Sequence, residues 1–212
     1  MCSGRVDLRF ILRAFSNGND GVLIGGCRLN ECNYVTQGNY DALSVTHICR
    51  KLLGRVGLNP ERLHIAFMSG GDGNILADVV SGFSAKIKEL GPLGAGEGID
   101  RDLMRMKLAA LDRLVPFLRL VERERMRVPS KSKEEYEKFF SSDAFDALFE
   151  AVVADKLAMS EIMLLLGQKP LSTGEIAEIL SLCPSDVSRH MQSSSRHGWV
   201  RYDVDRKCYS LA

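Results

Sequence analysis

The sequence predicts an α/β protein that starts with a small parallel-sheet (βαβ) domain lacking its first strand. Long helices and a C-terminal winged helix-turn-helix follow. Two short apolar runs each end in a glycine-rich loop and precede a helical pattern, which is typical of parallel strands joined by right-handed crossovers. A long amphipathic stretch comes next. The C-terminal segment shows helix, turn, helix and two strands, which is the winged-helix order.

The N-terminal elements follow from apolar spacing and from turn residues. Apolar residues at positions 8, 11, 12 and 15 repeat at helical spacing, and Gly57 and Pro60 end the second helix. Both strands end in glycine pairs, so both following loops should lie on one edge of the sheet. Because two strands seldom form a stable sheet alone, a further strand leading into Cys2 is expected. The predicted elements are helices at 7–15, 41–56 and 75–90 and strands at 22–24 and 63–68.

The middle of the chain is predicted to be helical. Residues 91–98 are a linker, since they are too rich in glycine for regular structure. A long helix follows at 100–127, and Pro116 should kink or divide it. Residues 130–137 are a polar connection, and 139–166 are helical. The predicted domains are an α/β domain at 1–92, a helical linker region at 99–166 and a winged-helix domain at 167–212.

The second helix of the C-terminal module is a candidate surface for DNA or for protein docking. Arg189 and Gln192 can read base edges in a major groove. Residues 169–212 carry six Lys or Arg against five Asp or Glu, which is a weak electrostatic footprint for a DNA-binding domain. Docking, dimerisation and DNA binding therefore stay open. The candidate surface residues are Ser188, Arg189, His190 and Gln192.

Overall composition points to an ordinary soluble protein. The 212 residues suffice for one large domain or two small ones, and the contents of 45% hydrophobic and 26% charged residues are usual for globular proteins. A net charge of +1 gives no reason to expect nucleic acid or an acidic membrane as a partner of the whole chain. Without an apolar run near the roughly 18 residues of a membrane span, or a secretory signal, we expect a cytoplasmic protein with no membrane partner.

Three of the six cysteines form a candidate site. Cys27 and Cys32, in a Cys-x4-Cys spacing, follow the first strand, and Cys2 precedes the first helix. The carboxyl edge of a parallel sheet is where open α/β folds place their chemistry, so these thiols are either a soft-metal site, iron–sulfur or zinc, or three small buried residues. Arg5 and Arg28, near the cysteines, either tune the thiol pKa values or are surface arginines. Cys49, Cys183 and Cys208 show no ligand spacing.

Other polar motifs are better explained by structure than by chemistry. The loop at 69–73 could cradle a phosphate at a helix N-terminus, but it lacks the lysine of a P-loop. A plain turn with no bound nucleotide is therefore predicted. His47 and His64 have no partner at ligand spacing and are predicted to be packing or surface residues. No nucleophile–base pair has usable spacing, so the chain is not expected to be a complete enzyme alone.

Four motifs carry a resemblance to a known family. They are Cys2-Ser3-Gly4-Arg5-Val6-Asp7, Gly21-Val22-Leu23-Ile24-Gly25-Gly26-Cys27, Glu31-Cys32-Asn33-Tyr34 and Gly38-Asn39-Tyr40. With these motifs, residues 1–92 resemble the delta subunit of methyl-viologen-reducing hydrogenase, an iron–sulfur electron-transfer protein. The resemblance implies that Cys2, Cys27 and Cys32 bind a binuclear [2Fe–2S] cluster. It also implies two partners, a hydrogenase or dehydrogenase and a flavin-containing subunit of the heterodisulfide-reductase type, between which electrons pass.

The sequence departs from the family pattern in two places. The family usually has His and Pro where this chain has Arg28 and Leu29. The family also has a further cysteine-rich segment before the position of Cys2, and a [2Fe–2S] cluster takes four ligands. The fourth ligand is therefore expected from a missing N-terminal segment. Our hypothesis is that the natural protein is longer and that this sequence begins at an internal methionine.

The sequence favours an accessory electron-transfer subunit of an oxidoreductase complex. The alternative is a redox-responsive winged-helix transcription regulator, since residues 171–211 resemble the winged-helix domains of metal-responsive repressors. A basic face around Arg189, Arg196 and Arg201 would favour DNA binding, and an apolar face would favour docking. A third hypothesis is a non-functional gene fragment.

Overall fold

The computed structural model describes residues 2–34 and 38–212, which divide into two compact units, Met1–Ala151 and Val152–Ala212. In the first unit the helices are α1 (Leu8–Ser16), α2 (Asn39–Arg55), α3 (Gly73–Leu90), α4 (Arg101–Arg125), α5 (Lys133–Phe140) and α6 (Asp143–Phe149), and the strands are β1 (Val22–Gly26) and β2 (Leu63–Phe67). In the second unit they are α7 (Asp155–Leu166), α8 (Thr173–Leu180), α9 (Pro184–Arg196), β3 (Val200–Asp203) and β4 (Cys208–Leu211). The predicted α/β fold class is confirmed, and the boundaries predicted for the three domains stay a prediction.

Strands β1 and β2 form a two-stranded parallel sheet. Val22 pairs with Leu63 and Gly26 pairs with Phe67, so the two strands end at the same edge. The predicted placement of both glycine-rich loops on one edge is therefore confirmed. No other strand of the described residues joins this sheet.

The core of the first unit is built mainly from helices. Asp7 caps α1 by accepting a hydrogen bond from the backbone N–H of Arg9 (2.8 Å), and the apolar stripe of α1 is completely buried against α2 and α4. An aromatic cluster from α5 and α6 extends this core, with the Phe140 and Phe145 rings 4.9 Å apart and nearly perpendicular. The most buried core side chains are Leu8, Ile11, Leu12, Phe15, Ile48, Leu52, Leu53, Leu108, Phe145 and Phe149.

The segment after α3 contains a short 3-10 helix at Ala95–Glu97 and is held by a buried arginine, which corrects the prediction that residues 91–98 have no regular structure. The Arg62 side chain is fully buried, and its guanidinium donates to both carboxylate oxygens of Glu97 at 2.5 and 3.0 Å. It also donates to the backbone carbonyls of Asp20, Leu90, Gly91 and Pro92. Glycine is needed here for close approach, because a Cβ on Gly96 would overlap the Leu90 carbonyl oxygen and would lie 2.8 Å from the Arg62 guanidinium.

The structure corrects three predictions about the helical region. Pro116 lies inside α4 and does not divide it, because α4 runs from Arg101 to Arg125 with buried apolar residues on both sides of the proline; a kink at Pro116 stays a prediction. The polar connection predicted at 130–137 is largely helix α5, capped by the Ser132 hydroxyl. The helix predicted at 139–166 is interrupted, because the Ser142 hydroxyl caps a new helix by accepting from the Phe145 N–H (3.1 Å) and a π-helical turn precedes α7.

The second unit has the predicted order of helix, turn, helix and hairpin. Ser172 and Glu175 form a capping box at the start of α8, and Ser181 takes a left-handed conformation (φ 54°) in the turn before α9. Strands β3 and β4 pair in an antiparallel hairpin. The core side chains of the second unit are Ile162, Leu165, Ile176, Leu180, Val187, Met191 and Val200. Among the helices of residues 2–34 and 38–212, none combines the length and the apolar character that crossing a bilayer requires.

We predict that Glu97→Gln lowers the free energy of unfolding by about 3 kcal/mol, because it leaves the buried Arg62 charge uncompensated. Burial raises the pKa of Glu97, but hydrogen bonds from Arg62 and from the backbone of Asn59 and Gly94 lower it overall. The stability due to this group should therefore be lost as the pH falls below about 4.5. Urea denaturation at pH 7 and pH 3.5 measures both effects.

The control for Glu97→Gln is Glu61→Gln, since Glu61 also faces a cation. Its partner is Lys86, and both side chains are exposed (58% and 43%). Such surface pairs contribute less than about 1 kcal/mol. Equal losses of stability in the two variants would contradict the structural role assigned to the buried pair.

We also predict that the contribution of Glu122 to the stability of the protein falls between about pH 4.5 and pH 7. Burial, followed by the charges of Asp41 and Asp7, raises the pKa of Glu122 to about 7. The folded state therefore keeps a proton that the unfolded state releases, and stability is lost as the pH rises through this range. Glu122→Gln should be more stable than the wild type at pH 8, on the order of 2 kcal/mol, and similar to it at pH 4.

Unfolding curves at the two pH values test this assignment, with Glu124→Gln as the control. Glu124 is exposed on the same helix, and its substitution should leave the pH dependence unchanged. A Glu122→Gln variant with the same pH dependence as the wild type would refute the prediction.

Candidate functional site

Three cysteine thiols meet beside the carboxyl edge of the β1–β2 sheet. Cys2 begins the short 3-10 helix Ser3–Arg5, Cys27 follows β1 directly, and Cys32 lies in the loop before α2. The Sγ atoms of Cys2 and Cys32 are 3.6 Å apart, and Cys27 is near enough to both thiols for them to raise its pKa. The structure thus brings together the three cysteines singled out in the sequence, and all three are part-buried.

The environments of Cys27 and Cys32 shift their thiol pKa values in opposite directions. Burial, and then interactions with Cys32 and Cys2, raise the pKa of Cys27. Hydrogen bonds from the backbone N–H groups of Tyr34 and Asn39 help to lower the pKa of Cys32, the former being the largest effect. In this thiol group Cys32 therefore carries negative charge more readily than Cys27 does.

The N-terminus of α2 comes close to both thiols of the Cys-x4-Cys pair. A Cβ on Gly38 would lie 2.6 Å from Cys32 Sγ and would also overlap the Tyr34 carbonyl oxygen, so only glycine fits at this position. The next residue, Asn39, is 1% exposed. Its Nδ2 donates to the carbonyl oxygens of Cys27 (2.8 Å) and Arg28 (2.7 Å).

A salt bridge joins the two loops at this sheet edge. Arg28 donates through Nη2 (2.6 Å) and Nε (3.1 Å) to Asp72 Oδ2, and the same oxygen accepts from the Ser69 backbone N–H (2.7 Å). Arg28 is therefore paired with a carboxylate. The pKa shifts of Cys27 and Cys32 have other causes, namely burial, backbone N–H donors and the neighbouring thiols. Arg5 is exposed at the surface.

The thiol group suits soft-metal ligation by its chemistry. Thiolates are the ligands that iron–sulfur clusters use. Ser3 adds a buried hydroxyl that has no hydrogen-bond partner among the described residues, and it packs so closely on Gly26 that a Cβ there would lie 2.9 Å from Ser3 Oγ. Within residues 2–34 and 38–212, however, no group of three or more His, Cys, Asp or Glu side chains is placed to hold a metal ion. The three cysteines fit an iron–sulfur cluster by the chemistry of their thiols, whereas their placement in the described residues does not form a group of three around one point, and a fourth ligand is still required.

Residues that the sequence assigned to packing or turns behave as expected. His47 stacks on Phe140, with ring centres 4.8 Å apart, and burial lowers its pKa to about 4. His64 stacks on Phe83. The loop at 69–73 leads directly into α3, and its Asp72 carboxylate is engaged by Arg28.

The four candidate residues on α9 differ in exposure. Arg189 is exposed but donates to both oxygens of Asp155 at 3.0 and 2.9 Å, which raises its pKa. His190 is 6% exposed, and burial lowers its pKa. Ser188 is part-buried and Gln192 is exposed. The face predicted to decide between DNA and docking therefore contains an arginine that is already paired.

Sequence reasoning assigned no role to Asn39, Gly38, Asp72 or Ser3. Three of these belong to the four family motifs, Ser3 beside Cys2 and the Gly38-Asn39 pair before Tyr40, so a signal was present. Asp72 lies 44 residues from Arg28, and only the parallel pairing of the strands reveals that the two side chains meet.

Comparison with known proteins relates the two ends of the chain to different families. Residues 1–91 match the family described as methyl-viologen-reducing hydrogenase, delta subunit. Residues 158–192 match the family described as bacterial regulatory protein, arsR family.

Among similar proteins is the iron-sulfur subunit of the F420-non-reducing hydrogenase of Archaeoglobus profundus, which is 46% identical over 91 residues, covering 43% of this chain and 66% of that protein. One subunit of the ferredoxin/F420H2-dependent CoB-CoM heterodisulfide reductase of Methanosarcina acetivorans is 38% identical over 95 residues, 45% of this chain but 12% of that protein. The chain therefore spans about two thirds of the length of the hydrogenase relative and about an eighth of the length of the reductase relative.

A third relative, the iron-sulfur subunit of the vhu F420-non-reducing hydrogenase of Methanococcus maripaludis, is 36% identical over 91 residues, which are 43% of this chain and 67% of that protein. On this similarity and the match over residues 1–91, the chain belongs to the methyl-viologen-reducing hydrogenase delta subunit family.

Proposed function

We propose that the chain is an electron-transfer subunit whose Cys2, Cys27 and Cys32 bind a [2Fe–2S] cluster. The observation that carries the proposal is that the thiol of Cys2, at the start of the chain, meets the cysteine loop between β1 and α2, with the Cys2 and Cys32 Sγ atoms 3.6 Å apart. Family membership supports it, because relatives are named iron-sulfur subunits. When bound, such a cluster would take up and release single electrons.

The chain's own residues would prepare the thiols for this role. Backbone N–H groups of Tyr34 and Asn39 favour the thiolate of Cys32, which is the form that binds metal. The Arg28–Asp72 salt bridge fixes the loop between Cys27 and Cys32 against the loop after β2. The fourth ligand lies outside these three cysteines, and an added thiol can take its place in an experiment.

We propose two partners for the electron transfer, a hydrogenase or dehydrogenase and a heterodisulfide-reductase-type flavoprotein subunit. The names of the relatives support this pair, since they include subunits of F420-non-reducing hydrogenases and of a CoB-CoM heterodisulfide reductase. The second unit, Val152–Ala212, would serve for docking.

A redox-responsive transcription regulator is the second candidate, and the arsR-family match over residues 158–192 favours it. The pairing of Arg189 with Asp155 and the burial of His190 weigh against direct base readout by α9. A gel-shift assay with DNA upstream of the protein's own gene tests this candidate. Specific retardation that is lost on oxidation would favour the regulator.

We predict that the anaerobically purified chain, reconstituted with ferrous iron, sulfide and dithiothreitol, binds iron and sulfide in equal amounts. After reduction it should give the EPR signal of a binuclear cluster. Cys27→Ser and Cys32→Ser should each lose most of the iron, because a serine hydroxyl is a poor ligand for a soft site. Iron assay and EPR measure both outcomes.

Cys183→Ser is the matched control for these substitutions, since Cys183 is an exposed thiol of the second unit. This variant should retain wild-type iron. An iron content that is negligible in the wild type, or unaffected by both Cys27→Ser and Cys32→Ser, would exclude the proposed cluster.

A further inference from the structure

Asn39 is a buried polar residue at the start of α2 whose side chain does not cap the helix. The N-cap position belongs to Gly38, which makes no side-chain hydrogen bond, and Asn39 points away from solvent with 1% exposure. Buried amides are retained where they make specific hydrogen bonds, because an unsatisfied one costs about 1–3 kcal/mol. The partners of Asn39 therefore indicate its role.

Within residues 2–34 and 38–212, the hydrogen-bond partners of the Asn39 side chain all belong to the loop that carries the first cysteine of the pair. Its Nδ2 donates to the Cys27 carbonyl oxygen (2.8 Å) and to the Arg28 carbonyl oxygen (2.7 Å), and it lies 3.7 Å from Cys27 Sγ, within hydrogen-bonding distance of sulfur. The side-chain amide of Asn39 thus holds the carbonyl groups of two consecutive residues, Cys27 and Arg28, and it also faces Cys27 Sγ.

The backbone of the same residue faces the other cysteine. The Asn39 backbone N–H is among the groups that lower the pKa of Cys32, and the absence of a side chain on Gly38 lets the helix N-terminus come close to Cys32 Sγ. Asn39 therefore donates to Cys27 Sγ through its amide, and its backbone belongs to the helix N-terminus that approaches Cys32. Among the described hydrogen bonds, the Asn39 amide is the one side-chain nitrogen that donates to a sulfur of the three cysteines.

We propose that Asn39 is the positioning residue of the cysteine site, which holds the Cys27 sulfur in place and donates a hydrogen bond to it. This inference rests on the proposed function, and it adds an effect of Asn39 on the reduction potential of the cluster. Hydrogen bonds to ligand sulfurs raise the reduction potential of an iron–sulfur cluster, since they stabilise the extra negative charge of the reduced form. Removal of the amide donor should therefore shift the potential to more negative values.

The adjacent residue provides a matched control. The Tyr40 hydroxyl donates to Asn30 Oδ1 (3.0 Å), so Tyr40 fastens the same cysteine loop to α2 without a described contact to sulfur. Tyr40→Phe removes one loop hydrogen bond and leaves the donors to both sulfurs intact. A reduction potential that changes in Asn39→Ala but not in Tyr40→Phe would separate hydrogen bonding to sulfur from general support of the loop.

The experiment is an EPR-monitored redox titration of the reconstituted full chain in wild-type, Asn39→Ala, Asn39→Gln and Tyr40→Phe forms. We expect Asn39→Ala to lower the equilibrium constant for reduction at least tenfold, which is about 59 mV for one electron. Asn39→Gln, which keeps the donor, should lie closer to the wild type, and Tyr40→Phe should match it. A wild-type potential in Asn39→Ala would overturn the inference.

Iron-free protein provides an independent measurement, which separates this inference from the proposed function. The rate at which iodoacetamide alkylates Cys27 is followed by mass spectrometry, with exposed Cys183 as the internal reference. Asn39→Ala should speed the modification of Cys27 several-fold, because the loop is released, whereas Tyr40→Phe should change it less. Equal rates in wild type and Asn39→Ala would overturn the positioning role, and absence of iron from the wild type would overturn only the proposed cluster and its potential.

Discussion

The N-terminal unit depends on one buried ion pair. The Arg62 guanidinium, which has no exposed surface, reaches Glu97 and four backbone carbonyls. These partners come from the turn before β1, the end of α3 and the loop that follows it, while Arg62 itself directly precedes β2. A two-stranded sheet buries too little surface to be stable by itself, so the pair joins segments that the sheet cannot hold. The charge is tolerated in the interior because every donor is satisfied.

The same sheet has a polar end and a sulfur-rich end. At the Arg62 end, carbonyl oxygens converge on a cation, whereas at the carboxyl edge the donors are backbone N–H groups and the Asn39 amide, which face thiols. Hydrogen-bond donors favour anionic sulfur in the same way that carbonyls favour a guanidinium. The chemical difference between the two ends thus follows from which backbone groups each loop presents.

Much of the fold could be predicted from local patterns, but the pairs that organise it could not. The helical spacing of apolar residues predicted α1, and the apolar runs that end in glycine predicted both strands and the edge at which they end. The packed segment at 91–98 was misread because its glycines allow close approach to Arg62 as well as flexibility. Ser142 was missed as a helix start, since a serine within an apolar pattern looks like any exposed residue. Cys2, Cys27 and Cys32 were found by motif, whereas Asp72 and Asp155 act through partners 44 and 34 residues away.

The position of Cys2 in a single 3-10 turn determines how firmly this thiol is held. No residue of the turn is buried as a whole, whereas α1, which starts at Leu8, is buried along its whole apolar face. In native-state hydrogen exchange, amides with few buried neighbours open locally, and core amides exchange only when the whole domain unfolds. We therefore expect the amides around Cys2 to exchange faster, by local opening, than the amide of Cys49 in the core.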